Sequence, residues 1–134
     1  CSLSSLTYAL RSMVSDNANM HDIASEQSAW IASALASNTA LRRSGKLANA
    51  QLFDFNYEEL MADPLKLVQR LYHDFDLPLS DTTQDRMRSY LKDNPEDKHG
   101  KPRYHFMTTG LRLDEERRRF RDYQEYFAIS TEKV

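Results

Sequence analysis

Apolar side chains recur at spacings of three and four along two segments near the start of the chain. The first segment runs from about Leu3 to Val14, and its apolar positions are Leu3, Leu6, Leu10, Met13 and Val14. The second runs from near His21 to Arg43, and its stripe consists of Ile23, Gln27, Trp30, Ile31, Ala34, Leu35 and Leu41. This period is that of one helix face. Both segments are therefore predicted helices. The second stripe favours a place for Trp30 in the core, and the alternative is that Trp30 borders a substrate pocket.

Polar residues mark the ends of these two helices. Ser15, Asp16, Asn17 and Asn19 form a turn cluster that contains good helix-capping residues. Arg42 and Arg43 suit the negative end of the second helix dipole. Gly45 is a typical stop just beyond them.

The segment from Gln51 to Tyr57 is the one predicted strand, because it is short, alternating and rich in aromatic residues. A lone strand leaves backbone N–H and C=O groups unpaired on both edges. The order helix, strand, helix is typical of an α/β protein with a parallel sheet. We therefore expect an α/β parent whose other strands lie upstream. The present chain should be mostly α-helical, with one short strand near residues 51–56.

Three further helices are predicted downstream. One begins with Asp63 as its N-cap and Pro64 at its first position, and it extends to about Phe75. A short one follows Ser80, with Met87, Tyr90 and Leu91 expected on its inner face. After an irregular stretch from 94 to 112, a last helix should span about 114–127. Its expected inward residues are Phe120, Tyr123 and Phe127.

Composition narrows the class of protein. The 134 residues suit one small domain, and a net charge of −2 argues against a nucleic-acid-binding domain, which is normally strongly basic. A single cysteine makes a reducing compartment the default. No apolar run approaches the roughly 20 residues of a membrane-spanning helix, and no signal peptide is visible. Since the chain opens on Cys1 in helical register, we expect it to be cut from a longer product.

A basic loop from Lys98 to His105 is the first segment whose residues suit ligand binding. Lys98, Lys101 and Arg103 place three positive charges within six residues, with no acid among them. Gly100 permits a left-handed turn or a close approach of the backbone to a ligand. Such a loop can bind a phosphate through cationic donors and exposed amides. The alternative is a solvated surface loop.

Tyr57 is the second candidate. A side chain at the carboxyl end of a parallel strand stands where α/β proteins bind ligands, and this ring could stack on a nucleobase. The alternative is that Tyr57 packs beneath the following helix.

Two other clusters of polar residues give no prediction of a binding site. The four histidines show no metal-ligand spacing and Cys1 stands alone, so no metal site is predicted. The arginines at 117–119 and 121 follow Asp114, Glu115 and Glu116 by one turn, which favours a solvated, salt-bridged helix.

Three stretches in succession resemble one family. "YEELMADPLKLVQRLYHDFDLPLS" is similar to a sulfotransferase segment that reads Tyr-Glu-Asp-Leu, an Asp-Pro helix and a Leu-Pro break. "NPEDKHGKPRYHF" resembles the Lys-x-Gly loop of the bacterial-type branch, and "LRLDEERRRFRDYQEYF" resembles the helix that follows it. The resemblance covers about Leu3 to Phe127. It implies a parent α/β fold of the P-loop-nucleotide-transferase type.

The resemblance also implies a reaction: transfer of a sulfuryl group from 3'-phosphoadenylyl sulfate to a hydroxyl or amine acceptor. By position, Tyr57 would lie against the adenine. Lys98, His99, Gly100 and Lys101 would form the loop over the 3'-phosphate, and Arg103 follows where the family pattern is less fixed.

The resemblance also implies that two parts of the catalytic site lie outside this chain. The phosphosulfate-binding loop and the catalytic base are expected before Cys1, so no catalytic residue is assigned. Residues 1–134 would be the C-terminal part of a single sulfotransferase domain and inactive by themselves. The acceptor would be a small molecule or a glycan, with no nucleic acid as partner. A cytoplasmic location is the default, because the cofactor is made there.

Two other functions compete with this one. The first is a non-catalytic helical interaction module that binds a partner through the apolar helix faces near 3–14 and 21–43. The second is another nucleotide-dependent transferase with a kinase-like fold.

Overall fold

A computed structural model describes residues 2–47, 52–95, 98, 100 and 104–131. Every regular element in this described part is a helix: α1 Ser2–Ser12, α2 Met20–Arg43, α3 Tyr57–Ala62, α4 Pro64–Asp74, α5 Asp81–Asp93, a 3₁₀ helix Phe106–Thr109, and α6 Leu113–Tyr126. The chain divides into two compact units. Unit 1 comprises Cys1–Ala48 and Pro102–Val134, and unit 2 comprises Asn49–Lys101. The expectation of a mostly α-helical chain is confirmed.

The helix ends of unit 1 follow the predicted signals. Asn19 is the N-cap of α2, and its side-chain oxygen accepts a hydrogen bond from the Asp22 N–H at 3.2 Å. Ser44 is the C-cap, and Gly45 follows in the left-handed region at φ +71°. A side chain would be strained in that conformation, so the glycine stops the helix as predicted.

The core of unit 1 lies where α1, α6 and the 3₁₀ helix pack on α2. Ile23 and Ala24 are buried there. Two threonines are equally buried, and each satisfies its hydroxyl locally: Thr39 donates to the Leu35 carbonyl and Thr109 to the Phe106 carbonyl. Trp30 is 70% exposed, so its predicted place in the core is wrong. The apolar stripe of α2 is wider than the surface that its neighbours in unit 1 cover.

An ion pair links the C-terminal turn of α2 to α6. The Arg43 guanidinium donates two hydrogen bonds to the Asp122 carboxylate, at 2.8 and 2.9 Å. These bonds hold the pKa of Asp122 below its usual value. The same guanidinium lies 5.1 Å from the centre of the Tyr126 ring. The predicted inward residues Phe120 and Tyr123 on α6 and Phe127, which is its C-cap, are half-buried.

Unit 2 confirms the predicted helix starts. The Asp63 carboxylate accepts from the Lys66 N–H at 3.0 Å with Pro64 at the first helical position, and the Ser80 hydroxyl accepts from the Thr83 N–H at 3.2 Å. Leu67 on α4 is buried. The predicted inner face of α5 is only partly right, because Met87 is half-buried whereas Tyr90 and Leu91 are exposed.

The predicted strand near 51–56 is absent from its described part, residues 52–56. Asn56 has extended backbone angles, φ −89° and ψ 145°. A strand also needs a neighbour with which to exchange ladder hydrogen bonds, and residues 52–56 form no such backbone ladder within the described ranges. The Asp54 carbonyl instead accepts from the Arg70 side chain. The alternating aromatic residues therefore belong to a largely exposed, irregular segment, in which Phe53 is half-buried, and not to a sheet.

The irregular stretch from 94 to 112 contains the 3₁₀ helix and ends in a turn that needs glycine. Gly110 has φ +69°, and a Cβ there would approach the His21 ring to 3.3 Å. In the part of the chain that the structure describes, no helix is long and apolar enough to cross a membrane.

Candidate functional site

Tyr57 is the first residue of α3, and not the last residue of a strand as predicted. Its side chain is 69% exposed. The alternative that the ring packs beneath the following helix is therefore wrong. An exposed phenol ring at a helix start keeps both its face and its hydroxyl available to a planar ligand.

The position of Tyr57 depends on an aromatic cluster and one arginine. The Phe53 ring centre lies 6.2 Å from that of Phe55 and 6.3 Å from that of Phe75, which follows α4 directly. The Arg70 guanidinium lies 4.9 Å from the centre of the Phe53 ring and forms a 2.8 Å ion pair with Glu59. Arg70 thus ties both the segment before Tyr57 and the helix that Tyr57 begins to α4.

Sequence reasoning missed Arg70. Its partner Glu59 lies on a different helix, so no helical charge spacing links the two residues. The only signal was a cation three residues after the buried Leu67, at the edge of the apolar face of α4.

Lys98 binds the end of α5. Its ammonium donates to the Asp93 carbonyl and to the Asn94 side-chain oxygen, both at 2.9 Å. Its own N–H donates to the Pro95 carbonyl at 3.0 Å. A cation at this place is favoured by the negative end of the helix dipole. The predicted contact of Lys98 with a phosphate stays a prediction.

Gly100 has φ +87°, which few other residues adopt without strain. A Cβ at this position would meet no atom within 4 Å. The glycine is therefore required by the conformation of the turn and not by crowding. This matches one of the two reasons for which the sequence singled it out.

Tyr57, Lys98 and Gly100 all belong to unit 2, and all three are exposed. His99, Lys101 and Arg103 lie outside the described residues, so the grouping of the basic loop around a ligand stays a prediction. Within the described ranges, no three histidine, cysteine or carboxylate side chains come together as a metal site.

Unit 1 contains a polar cluster that the sequence did not suggest. The Ser28 hydroxyl, on a residue only 8% exposed, donates to the Glu116 carboxylate and accepts from the Arg119 guanidinium at 2.7 Å. Arg119 also forms a 2.8 Å ion pair with Glu116. Ser28 and Arg119 are 91 residues apart in sequence, and no local pattern connects them.

Comparison with known families assigns the chain to a class of enzyme. The profile of the sulfotransferase family matches residues 1–81, which include α1 to α4 and Tyr57. The chain belongs to the sulfotransferase family, whose members are transferases of the sulfuryl group. No curated protein and no solved structure gives a significant match to it. Family membership favours a sulfotransferase over the kinase-like transferase and the interaction module.

Proposed function

We propose that this chain is the C-terminal part of a sulfotransferase domain of the bacterial type, with a P-loop-nucleotide-transferase-type α/β parent fold. The enzyme moves a sulfuryl group from 3'-phosphoadenylyl sulfate to a hydroxyl or amine of a small-molecule or glycan acceptor. The family match over residues 1–81 carries the proposal. We expect the enzyme in the cytoplasm, where the donor is made.

Tyr57 is proposed to contact the adenine. The support is its exposed ring, held at the start of α3 by the Arg70–Glu59 ion pair and the aromatic cluster around Phe53. A base stacked on an aromatic side chain gains about 1–3 kcal/mol. Tyr57→Ala should therefore weaken nucleotide binding roughly tenfold, whereas Tyr57→Phe keeps the ring and most of the affinity.

The basic loop is proposed to hold the 3'-phosphate through Lys98, His99, Gly100 and Lys101, with Arg103 beside them. The positive φ of Gly100, +87°, supports a change of chain direction at that residue. Lys98 is exposed, which supports a positively charged loop that an anion can reach. Sulfuryl transfer needs further groups: a loop for the phosphosulfate and a base to take the acceptor proton. We expect those groups upstream and the 134-residue chain to be inactive alone.

Calorimetry with adenosine 3',5'-bisphosphate tests the proposal on the complete enzyme that contains this chain. We expect saturable binding to the wild type and a loss of about tenfold or more in the Lys98→Ala, Lys101→Ala double variant, because each lost charge-assisted hydrogen bond is worth about 1.5–3 kcal/mol. The matched control is Lys92→Ala, which removes an exposed lysine from the last turn of α5.

The outcomes separate two questions. Binding that is equal in the wild type and the double variant would contradict the role of the loop while leaving the donor in place. No binding to the wild type would contradict the donor itself. A sulfated product made by the isolated chain would contradict the expected inactivity.

A further inference from the structure

A cavity of about 270 Å³ opens in unit 1 between α1, α2, the 3₁₀ helix and α6. Its walls are mainly apolar and include Leu3, Ala24, Ile31, Phe106, Leu111 and Phe120. A cavity of roughly 150 Å³ lined by such side chains holds a benzene molecule. This one is therefore large enough for one substituted ring and small for a nucleotide.

One hydroxyl in the wall has no partner among the described residues. Ser4 is only 7% exposed and lines the cavity, and its side chain makes no hydrogen bond to the residues that the structure describes. Polar side chains of buried residues normally have a hydrogen-bond partner. Because a serine hydroxyl can donate, the Ser4 side chain suits an acceptor atom on a ligand.

A second unpaired group belongs to Gln27. Its amide nitrogen donates to the Thr7 hydroxyl at 2.7 Å, while its buried oxygen has no partner in the described structure. The Thr7 hydroxyl can donate as well as accept. A half-turn of the amide therefore keeps this hydrogen bond and replaces the unpaired oxygen with an N–H donor.

Two charged side chains line the cavity, Glu116 and Arg117, and only Glu116 has a partner among the described residues. Glu116 is neutralised by Arg119 at 2.8 Å and further bonded by Ser28. Arg117, the next residue on α6, also lines the cavity but forms no ion pair or hydrogen bond with described residues. One positive charge is left over beside an apolar cavity that contains an unused hydroxyl.

We propose that this cavity binds a small organic anion: an apolar body the size of one ring with a carboxylate or sulfonate head. The body lies against the apolar walls, and the head pairs with Arg117 and accepts from Ser4. The site goes beyond the proposed nucleotide contacts, all of which belong to unit 2 or to the basic loop.

The test compares two ligands with the same ring. Benzoate and benzyl alcohol are titrated into the full chain, and binding is followed by amide chemical shifts in nuclear magnetic resonance spectra. We expect saturable shifts in α1, α2 and α6 with both, and roughly fivefold tighter binding of benzoate. The preference should shrink as salt is added, because Arg117 is exposed.

Two arginine variants of α6 sharpen the comparison. Arg117→Gln should abolish the preference for benzoate and leave the affinity for benzyl alcohol unchanged. The control is Arg118→Gln, because Arg118 pairs with Asp114 at 3.3 Å and does not line the cavity. That variant should keep the full preference.

Equal affinities of the wild type for the two ligands would overturn the proposal, as would shifts without saturation or shifts outside these helices. Equal loss in the two arginine variants would also overturn it, because the effect would then be one of net charge. Should Arg117→Gln fail to fold, Ser4→Ala takes its place, and an unchanged preference in that variant counts against the proposed head group.

Discussion

The two units of this chain are stabilised at different ranges along the sequence. In unit 1, side-chain hydrogen bonds join residues 79, 88 and 91 positions apart, from Arg43 to Asp122, from Ser28 to Glu116 and from Arg119 to Ser28. In unit 2, Arg70 reaches only 16 positions back to the Asp54 carbonyl, and Gln69 reaches 15 forward to Gln84. Unit 1 also buries more: Ile23 and Ala24 are nearly inaccessible, whereas Leu67 in unit 2 is 8% exposed.

The contrast shows where stability comes from in each unit. Unit 1 consists of two stretches of chain that are separate in sequence. Bringing them together costs loop-closure entropy, and the tertiary contacts of unit 1 offset that cost. In unit 2, helix caps and short-range pairs contribute a larger share. In unit 1, substitutions in the core should therefore lower the stability most. In unit 2, substitutions of helix caps should account for a larger share of the stability that can be lost.

The largest effect is expected from Ile23→Ala in the core of unit 1. Because Ile23 is 1% exposed, its truncation leaves a cavity and should lower the free energy of unfolding by about 3 kcal/mol. Hydrogen exchange of amides in α2 measures the loss. The control Val14→Ala, at a residue 86% exposed, should change the stability little. Equal protection of α2 in the two variants would contradict a core centred on Ile23.

A medium effect is expected from Asp63→Ala in unit 2. The variant removes the acceptor for the Lys66 N–H and should cost about 1 kcal/mol in the stability of α4. Chemical denaturation, together with amide exchange in the first turn of α4, measures it. Asp63→Asn retains an acceptor oxygen, so it should restore most of the loss. If asparagine and alanine destabilise equally, the cap is not what stabilises this helix start.

The smallest effect concerns pH. The Arg43 hydrogen bonds lower the pKa of Asp122, so the ion pair contributes stability above the unfolded pKa of about 3.8, and this contribution is lost as the pH falls through the lower folded pKa. Arg43→Gln should raise the pKa of Asp122 to its ordinary range, measured by titration of the carboxyl in nuclear magnetic resonance spectra. Arg121→Gln on the same helix is the control and should leave that pKa in place. An Asp122 pKa unmoved by Arg43→Gln would remove this link between α2 and α6.

Local signals predicted most of the helices. Asn19, Asp63, Pro64 and Ser80 act through atoms within four residues of themselves, so the sequence states their role directly. The six-residue helix α3 was missed because it is too short to show an apolar period, and the aromatic residues before it favoured a strand.

Features that depend on distant partners could not be predicted. The exposure of Trp30 follows from what α1 and α6 leave uncovered, and an apolar stripe does not specify its own cover. The cluster of Ser28, Glu116 and Arg119 joins segments with no common pattern. In the candidate site, the positive φ of Gly100 agrees with the sequence pattern, whereas the role of Tyr57 stays a prediction. The sequence did not indicate the role of Arg70 in holding the segment around Tyr57.

The contacts of Lys98 have a consequence for how a nucleotide would be received. A lysine ammonium has three N–H donors, and the Asp93 carbonyl and the Asn94 side chain use two of them. The third remains for an incoming anion, so capture of a phosphate would not require α5 to release its C-terminal cation. A free lysine side chain loses rotamer entropy worth about 2 kcal/mol when it is immobilised. The two hydrogen bonds to the end of α5 already restrict the Lys98 side chain, so the proposed contact with a phosphate would cost less of that entropy.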